Sequence, residues 1–111
     1  MVRVNWTDSA KLDLLEIKEY ISLGSKKYAF LELRKIINTT KRLETLPLSG
    51  KIISDNYVPF IRQVISGNYK IIFQFFPDLN EVRIIRVIHG AQNTDFDNLV
   101  FEPESEYKKQ E

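Results

Sequence analysis

Apolar and polar positions alternate from the start of the chain. Val2, Val4 and Trp6 are separated by Arg3 and Asn5, the period-two pattern of a short strand with one buried face. The period then changes. Thr7-Asp8-Ser9 offers capping oxygens, and Ala10, Leu14, Ile17 and Ile21 recur at helical spacing while Lys11, Lys18 and Glu19 fall off the stripe. Gly24 ends this helix. Ser25 caps a second one, whose stripe runs through Ala29, Leu33, Ile36, Thr40 and Leu43 and closes at Leu46-Pro47. A break this short makes the two helices antiparallel, with their stripes facing a common partner.

That partner lies downstream. Phe60 to Ile65, Tyr69 to Phe76 and Glu81 to His89 are rich in Ile, Val, Phe and Tyr and read as strands. Ser66-Gly67-Asn68 and Pro77-Asp78-Leu79-Asn80 punctuate them, and links this short give an antiparallel meander. The predicted fold is α+β in the order β-α-α-β-β-β, a helical hairpin packed on an antiparallel sheet, with the first strand joining the sheet after the hairpin crosses it. Residues 1–100 form one domain. Asp95 to Phe101 reads as a short helix or an extended segment, and residues 101–111 as a solvated tail.

Composition fits this picture. The chain has 111 residues, 43% hydrophobic and 28% charged, enough for one core and too few for a second domain. The absence of cysteine excludes a disulfide framework and a thiolate metal site, and fits a reducing compartment. With neither a signal-peptide pattern nor a membrane-length apolar run, the expected location is the cytoplasm. Net charge is +1, and the tail from Phe101 contributes −2, leaving about +3 on the body. That is far from the basic footprint of a general nucleic-acid binder.

Most catalytic constellations are missing. One histidine and no cysteine cannot make a His/Cys zinc cage, and no metalloprotease, serine-hydrolase or P-loop motif occurs. Asp13, Glu16 and Glu19 read as a solvated helical face rather than a metal ladder. Cations on or beside the strands remain: Lys51 ahead of them, Arg62 on the first of the three, Arg83 and Arg86 on the last, then His89. A strand arginine either pairs on the solvent face, as Arg83 with Glu81, or holds an anion. His89 is either a strand-end backbone partner or a proton carrier.

Several segments in their order resemble the RelE/ParE superfamily of toxins. They are Ala10 to Ile21, Leu43-Glu44-Thr45-Leu46-Pro47-Leu48-Ser49-Gly50, Ile61-Arg62, Tyr69-Lys70-Ile71-Ile72-Phe73, and Val82 to Gly90 ending in His89-Gly90. The resemblance covers the chain from the first strand to about Asn93 and implies the same β-α-α-β-β-β fold. Members are toxin halves of type II toxin–antitoxin pairs. RelE-like members cut mRNA on the ribosome with basic side chains of the sheet; ParE-like members are not nucleases, and those characterised poison DNA gyrase.

The familiar ending of the family is His-Gly-x-Arg, where this chain has His89-Gly90-Ala91-Gln92. Gln92 carries no charge with which to stabilise a phosphate. The resemblance therefore points to the ParE branch: a non-enzymatic toxin that binds a target such as gyrase, with Lys51, Arg62, Arg83, Arg86 and Gln92 as candidate target contacts. The alternatives are a ribosome-dependent mRNA endonuclease using Arg62, Arg86 and His89, and a non-toxic member that only binds antitoxin. In each case a cognate antitoxin is the expected partner, in a toxin–antitoxin hetero-oligomer. Leu15, Tyr20, Leu23, Tyr28, Phe30 and Leu31, apolar residues beyond the helical stripes, are the candidates for that contact. No cofactor and no metal is implied.

Overall fold

The computed structural model describes residues 1–90. Its elements are β1 (Arg3–Trp6), α1 (Asp8–Ser22), α2 (Lys26–Lys41), β2 (Lys51–Ser54), β3 (Ile61–Ser66), β4 (Tyr69–Phe76) and β5 (Glu81–His89). Short 3-10 turns follow α2 at Arg42–Glu44 and β4 at Pro77–Leu79. The region beyond Asn93, Gln92 and the 101–111 tail lie outside the described residues.

Both helices start where the capping residues predict. The Thr7 hydroxyl accepts from the Ala10 N–H at 3.2 Å and the Ser25 hydroxyl from the Tyr28 N–H at 3.0 Å, each satisfying a donor that the first helical turn leaves unpaired. Gly24 follows α1 and its N–H donates to the Ile21 carbonyl, so the hairpin reverses over the three residues between Ser22 and Lys26.

The five strands form one sheet in the order β1-β5-β4-β3-β2. β2 to β5 are antiparallel neighbours, and β1 runs parallel to β5, with Arg3 opposite Glu81 and Trp6 opposite Ile84. The sheet is therefore mixed, because the helical hairpin returns the chain to the end of the sheet from which β1 set out. β2 was not expected as a strand. Lys51-Ile52-Ile53-Ser54 is too short for its alternation to stand out, and its extended form comes from pairing with β3.

Helices cover one face. Ala10, Ile36, Leu43, Tyr69, Ile71, Phe73, Val82, Ile84 and Val87 form the main core there, flanked by Val2, Val4, Trp6, Leu14, Ile17 and Ile21. A smaller cluster on the other face joins Ile61, Ile72 and Ile88 to Ile53, Tyr57 and Ile85. The loop before β3 reaches that side, where the Gln74 side-chain amide donates to the Pro59 carbonyl at 2.8 Å. Each buried Ile or Phe contributes about 1.5–3 kcal/mol by removal from water, so both faces help to hold the sheet.

Candidate functional site

β1 pairs with β5 only as far as Ile84, and beyond it β5 would present a bare edge. Helix α1 takes over there. The Thr7 hydroxyl donates to the Ile84 carbonyl at 2.9 Å and lies 3.1 Å from that of Ile85. Six residues further on, Asp13 Oδ2 accepts from the Val87 N–H at 2.9 Å. Between these contacts β5 bulges: Ile72 faces Arg86 but Phe73 faces Ile84, which leaves Ile85 as the extra residue. The bulge re-aims Arg86 across the edge, where its Nε donates to Asp13 Oδ2 at 2.7 Å and its Nη2 to Oδ1 at 2.9 Å.

This overturns the expectation for Asp13 and decides between the two readings of a strand arginine for Arg86. Asp13 is not part of a solvated carboxylate face; its side chain is 11% exposed and takes three donors. Arg86 is not a cation displayed on the sheet surface, since its guanidinium is held in a two-pronged pair with 21% of the side chain exposed. Around this pair opens a cleft of 490 Å³ whose walls include Asp13, Glu16, Tyr20, Tyr69, Arg86 and His89. His89 is exposed at the end of β5 with its ring edge-on to Tyr69, centroids 5.5 Å apart. Burial, and secondly the Glu32 carboxylate, push the Tyr69 phenol above its usual range.

The other cations are dispersed. Arg83 pairs with Glu81 and lies over the Phe76 ring, 4.4 Å from its centroid. Glu81 also meets Arg3 at 3.6 Å, and the Arg83 hydrogen bond above all holds its carboxyl below the usual carboxylate range. Arg62 Nη1 donates to the Leu48 carbonyl at 3.2 Å, on the β2 side of the sheet. Lys51 is exposed on edge strand β2. Arg86 and His89 thus share one cleft, whereas Arg62 lies on the far side of β4 from it. Among the described residues no group of three potential metal ligands converges.

A second surface lies on the helical hairpin. Leu15, Tyr20, Leu23, Tyr28, Phe30 and Leu31 are all 43–86% exposed, and Leu12 and Ile37 are further exposed apolar residues of the same hairpin. Beneath Tyr28, Glu32 is 5% exposed, with Oε1 3.7 Å from Lys35 and Oε2 without a hydrogen-bond partner. The Glu32 carboxylate, through a hydrogen bond first, raises the Tyr28 phenol above its usual range.

Sequence reasoning missed Asp13, Glu32 and Tyr69. The signal for the two acids was positional. Asp13 lies three residues after Ala10 and four before Ile17, and Glu32 three after Ala29 and four before Ile36, so both fall on the inward stripes.

A helical hairpin on this mixed sheet, with charged side chains along its last strand and apolar ones on its helices, is the toxin fold of type II toxin–antitoxin systems. Three solved structures share it: the chromosomal ParDE system of P. aeruginosa, the RelBE2 toxin–antitoxin complex of Mycobacterium tuberculosis, and the isolated RelE toxin of E. coli. The first has a TM-score of 0.65 and 22% identity, covering 80% of this chain and 96% of that one. The second has 0.59 and 21%, covering 79% and 96%. The third has 0.55 and 16%, covering 99% and 98%. No curated protein sequence matches significantly. The profile of the ParE toxin of the type II toxin–antitoxin system parDE matches residues 4–94, and the chain belongs to that family.

Proposed function

We propose that this chain is a ParE-like toxin which acts through protein contact on a macromolecular target such as DNA gyrase, and which a cognate antitoxin neutralises. The observation that carries the reading is the engagement of the strand cations. Arg86 is locked to Asp13 and Arg83 to Glu81, and Arg62 turns to the opposite side of the sheet. A phosphate-cleaving site needs cations converging on one point of charge development. Dispersed and internally paired arginines suit a surface that recognises protein.

Antitoxin binding is supported by the exposed apolar residues of the hairpin, from Leu12 to Ile37, and by the likeness to a ParDE system and to a RelBE2 toxin–antitoxin complex. No helix among the described residues is long and apolar enough to cross a membrane, which suits a cytoplasmic target. The runner-up is a ribosome-dependent mRNA endonuclease using Arg62, Arg86 and His89.

The test is induced expression of the full chain in a bacterium, following transcript integrity and plasmid supercoiling in one culture. Growth arrest with altered DNA topology and intact transcripts is expected. Transcripts cut within codons would replace the reading with the nuclease one. A folded, abundant chain that causes no arrest would leave only antitoxin binding.

A further inference from the structure

Helix α1 packs on β5, and α2 on β3 and β4. Past α2 the helical layer stops, and a hollow of 440 Å³ opens beside β3 and the start of β2. Leu43 is buried in its lining and Val64 half-buried, while Leu46 and Ile65 stand exposed there. Arg42 and Lys51 line it too, both exposed, and no carboxylate does. Arg42 Nη2 donates to the Thr39 hydroxyl at 3.3 Å, and among the described residues neither cation joins a salt bridge. An apolar hollow flanked by two unmatched cations suits a ridge of apolar side chains flanked by carboxylates.

The outer side of α1 is such a ridge. Asp8, Leu12, Leu15, Glu16, Glu19 and Leu23 recur at helical spacing and are all exposed, opposite the inward Ala10, Asp13, Leu14 and Ile17. At the helical rotation they fall within an arc of about 100°, with Lys11 and Lys18 to one flank. Glu16 and Glu19 are one turn apart, no Lys or Arg lies three or four residues from either, and the last turn of α1 has no basic residue. Among the described residues neither has a salt-bridge partner. Like charges at this spacing repel each other, and near a helix C-terminus they also oppose the helix dipole. A cation brought from outside the helix relieves both.

We propose that the outer face of α1 of one copy of this chain docks in the hollow beside α2 of a second copy, with Leu12 and Leu15 entering between Leu46 and Ile65, and Glu16 and Glu19 facing Arg42 and Lys51. The two patches are different surfaces of the chain, one on α1 and one past α2, so the contact is heterologous: each copy offers one ridge and one hollow. One helix face in one hollow buries less than the about 1,600 Å² of a standard interface, so the association is weak, and its ionic part weakens further with salt. Leu15 and Leu23 also belong to the surface proposed for the antitoxin, and the self-contact covers part of it. The docking itself does not rest on the toxin reading.

Sedimentation of the full chain across micromolar to millimolar concentrations tests this. The average mass should rise with concentration at low salt and fall back when salt is added. E16K/E19K makes ridge and hollow both basic, and R42E/K51E makes both acidic, so each variant alone should associate at least about tenfold more weakly. An equimolar mixture of the two should associate again, because each ridge then meets a hollow of opposite charge; this recovery also shows that both variants fold. The milder E16Q/E19Q and R42Q/K51Q should weaken association in the same direction, with a dispersed NMR spectrum checking the fold of each. A wild-type chain that stays monomeric over the whole range would overturn the proposal. So would association that survives both charge reversals, which would place the contact elsewhere, or two folded monomeric variants that ignore each other when mixed.

Discussion

Asp13 on α1 grips Arg86 on β5 with both carboxylate oxygens and, with the same carboxylate, takes the N–H of Val87. One helical side chain thereby replaces the missing neighbour strand and fixes the arginine that the β5 bulge turns outward. Asp13→Ala removes three hydrogen bonds, two from a half-buried guanidinium and one from a buried N–H. The expected cost is about 3 kcal/mol. Asp13→Ala combined with Arg86→Met should cost less than Asp13→Ala alone, because no charge is stranded. Urea unfolding of the four species in this cycle checks it.

Glu81 gives a pH dependence. Its carboxyl titrates below the ordinary value of 4.5 because Arg83 hydrogen-bonds it and Arg3 adds attraction. Its stabilising contribution is complete above the unfolded-chain value and is lost as pH falls through the lower folded one. Glu81→Gln should destabilise by about 1 kcal/mol at pH 7, and the difference from wild type should shrink below pH 4. Thermal melts between pH 7 and pH 3 measure both.

Gly50 and Gly24 make opposite predictions. Gly50 has φ +93°, and a Cβ there would overlap the Gln63 carbonyl oxygen and lie 2.7 Å from Val64 Cγ1. Gly50→Ala should cost about 2 kcal/mol or more and speed amide exchange in Lys51–Ser54 by pulling β2 from β3. A Cβ at Gly24 meets only the Ile21 carbonyl at 3.7 Å. Gly24→Ala should stay within about 0.5 kcal/mol of wild type. Denaturant midpoints at constant m-value separate the two.

Tyr28 reports on Glu32. The carboxylate holds the phenol proton past the ordinary value of 10.0. The folded state therefore keeps that proton longer than the unfolded chain, and the associated stability is present below pH 10 and fades as pH rises through the folded value. Glu32→Gln should bring the Tyr28 midpoint back toward 10.0. Carbon NMR of the Tyr28 ring across an alkaline titration reads it directly.

The elements legible in the sequence are those with a sustained period or a clear stop. The stripes Ala10–Ile21 and Ala29–Leu43 became α1 and α2, and the apolar runs before and after Gly67 became β3 and β4. β2 escaped notice because four residues beside Gly50 carry too little pattern, and its strand form is set by a partner distant in sequence. Side-chain commitments were harder still. The helical stripe turns Asp13 inward and leaves Glu16 off it, but it does not tell that Asp13 meets the bare edge of β5 or that Glu16 stands at the rim of a cleft. Arg62 and Arg86 look alike in their apolar runs, but the bulge sends only Arg86 to α1. Sequence patterns record which face a residue occupies; they do not record who waits across the gap.

Strand β5 is the last described element in the chain and the second in the sheet, with β1 on one side and β4 on the other. The first strand therefore has no neighbour until the last one has been made. On a translating ribosome α1, α2 and the β2–β4 meander emerge early, but their shared core lacks Val82, Ile84 and Val87 until synthesis passes residue 87. Closure of the native topology waits on that final strand, a long-range pairing of the kind that slows folding. A nascent chain shorter than this is a helical hairpin and a partial sheet with an apolar face uncovered, so folding competence arrives late and all at once.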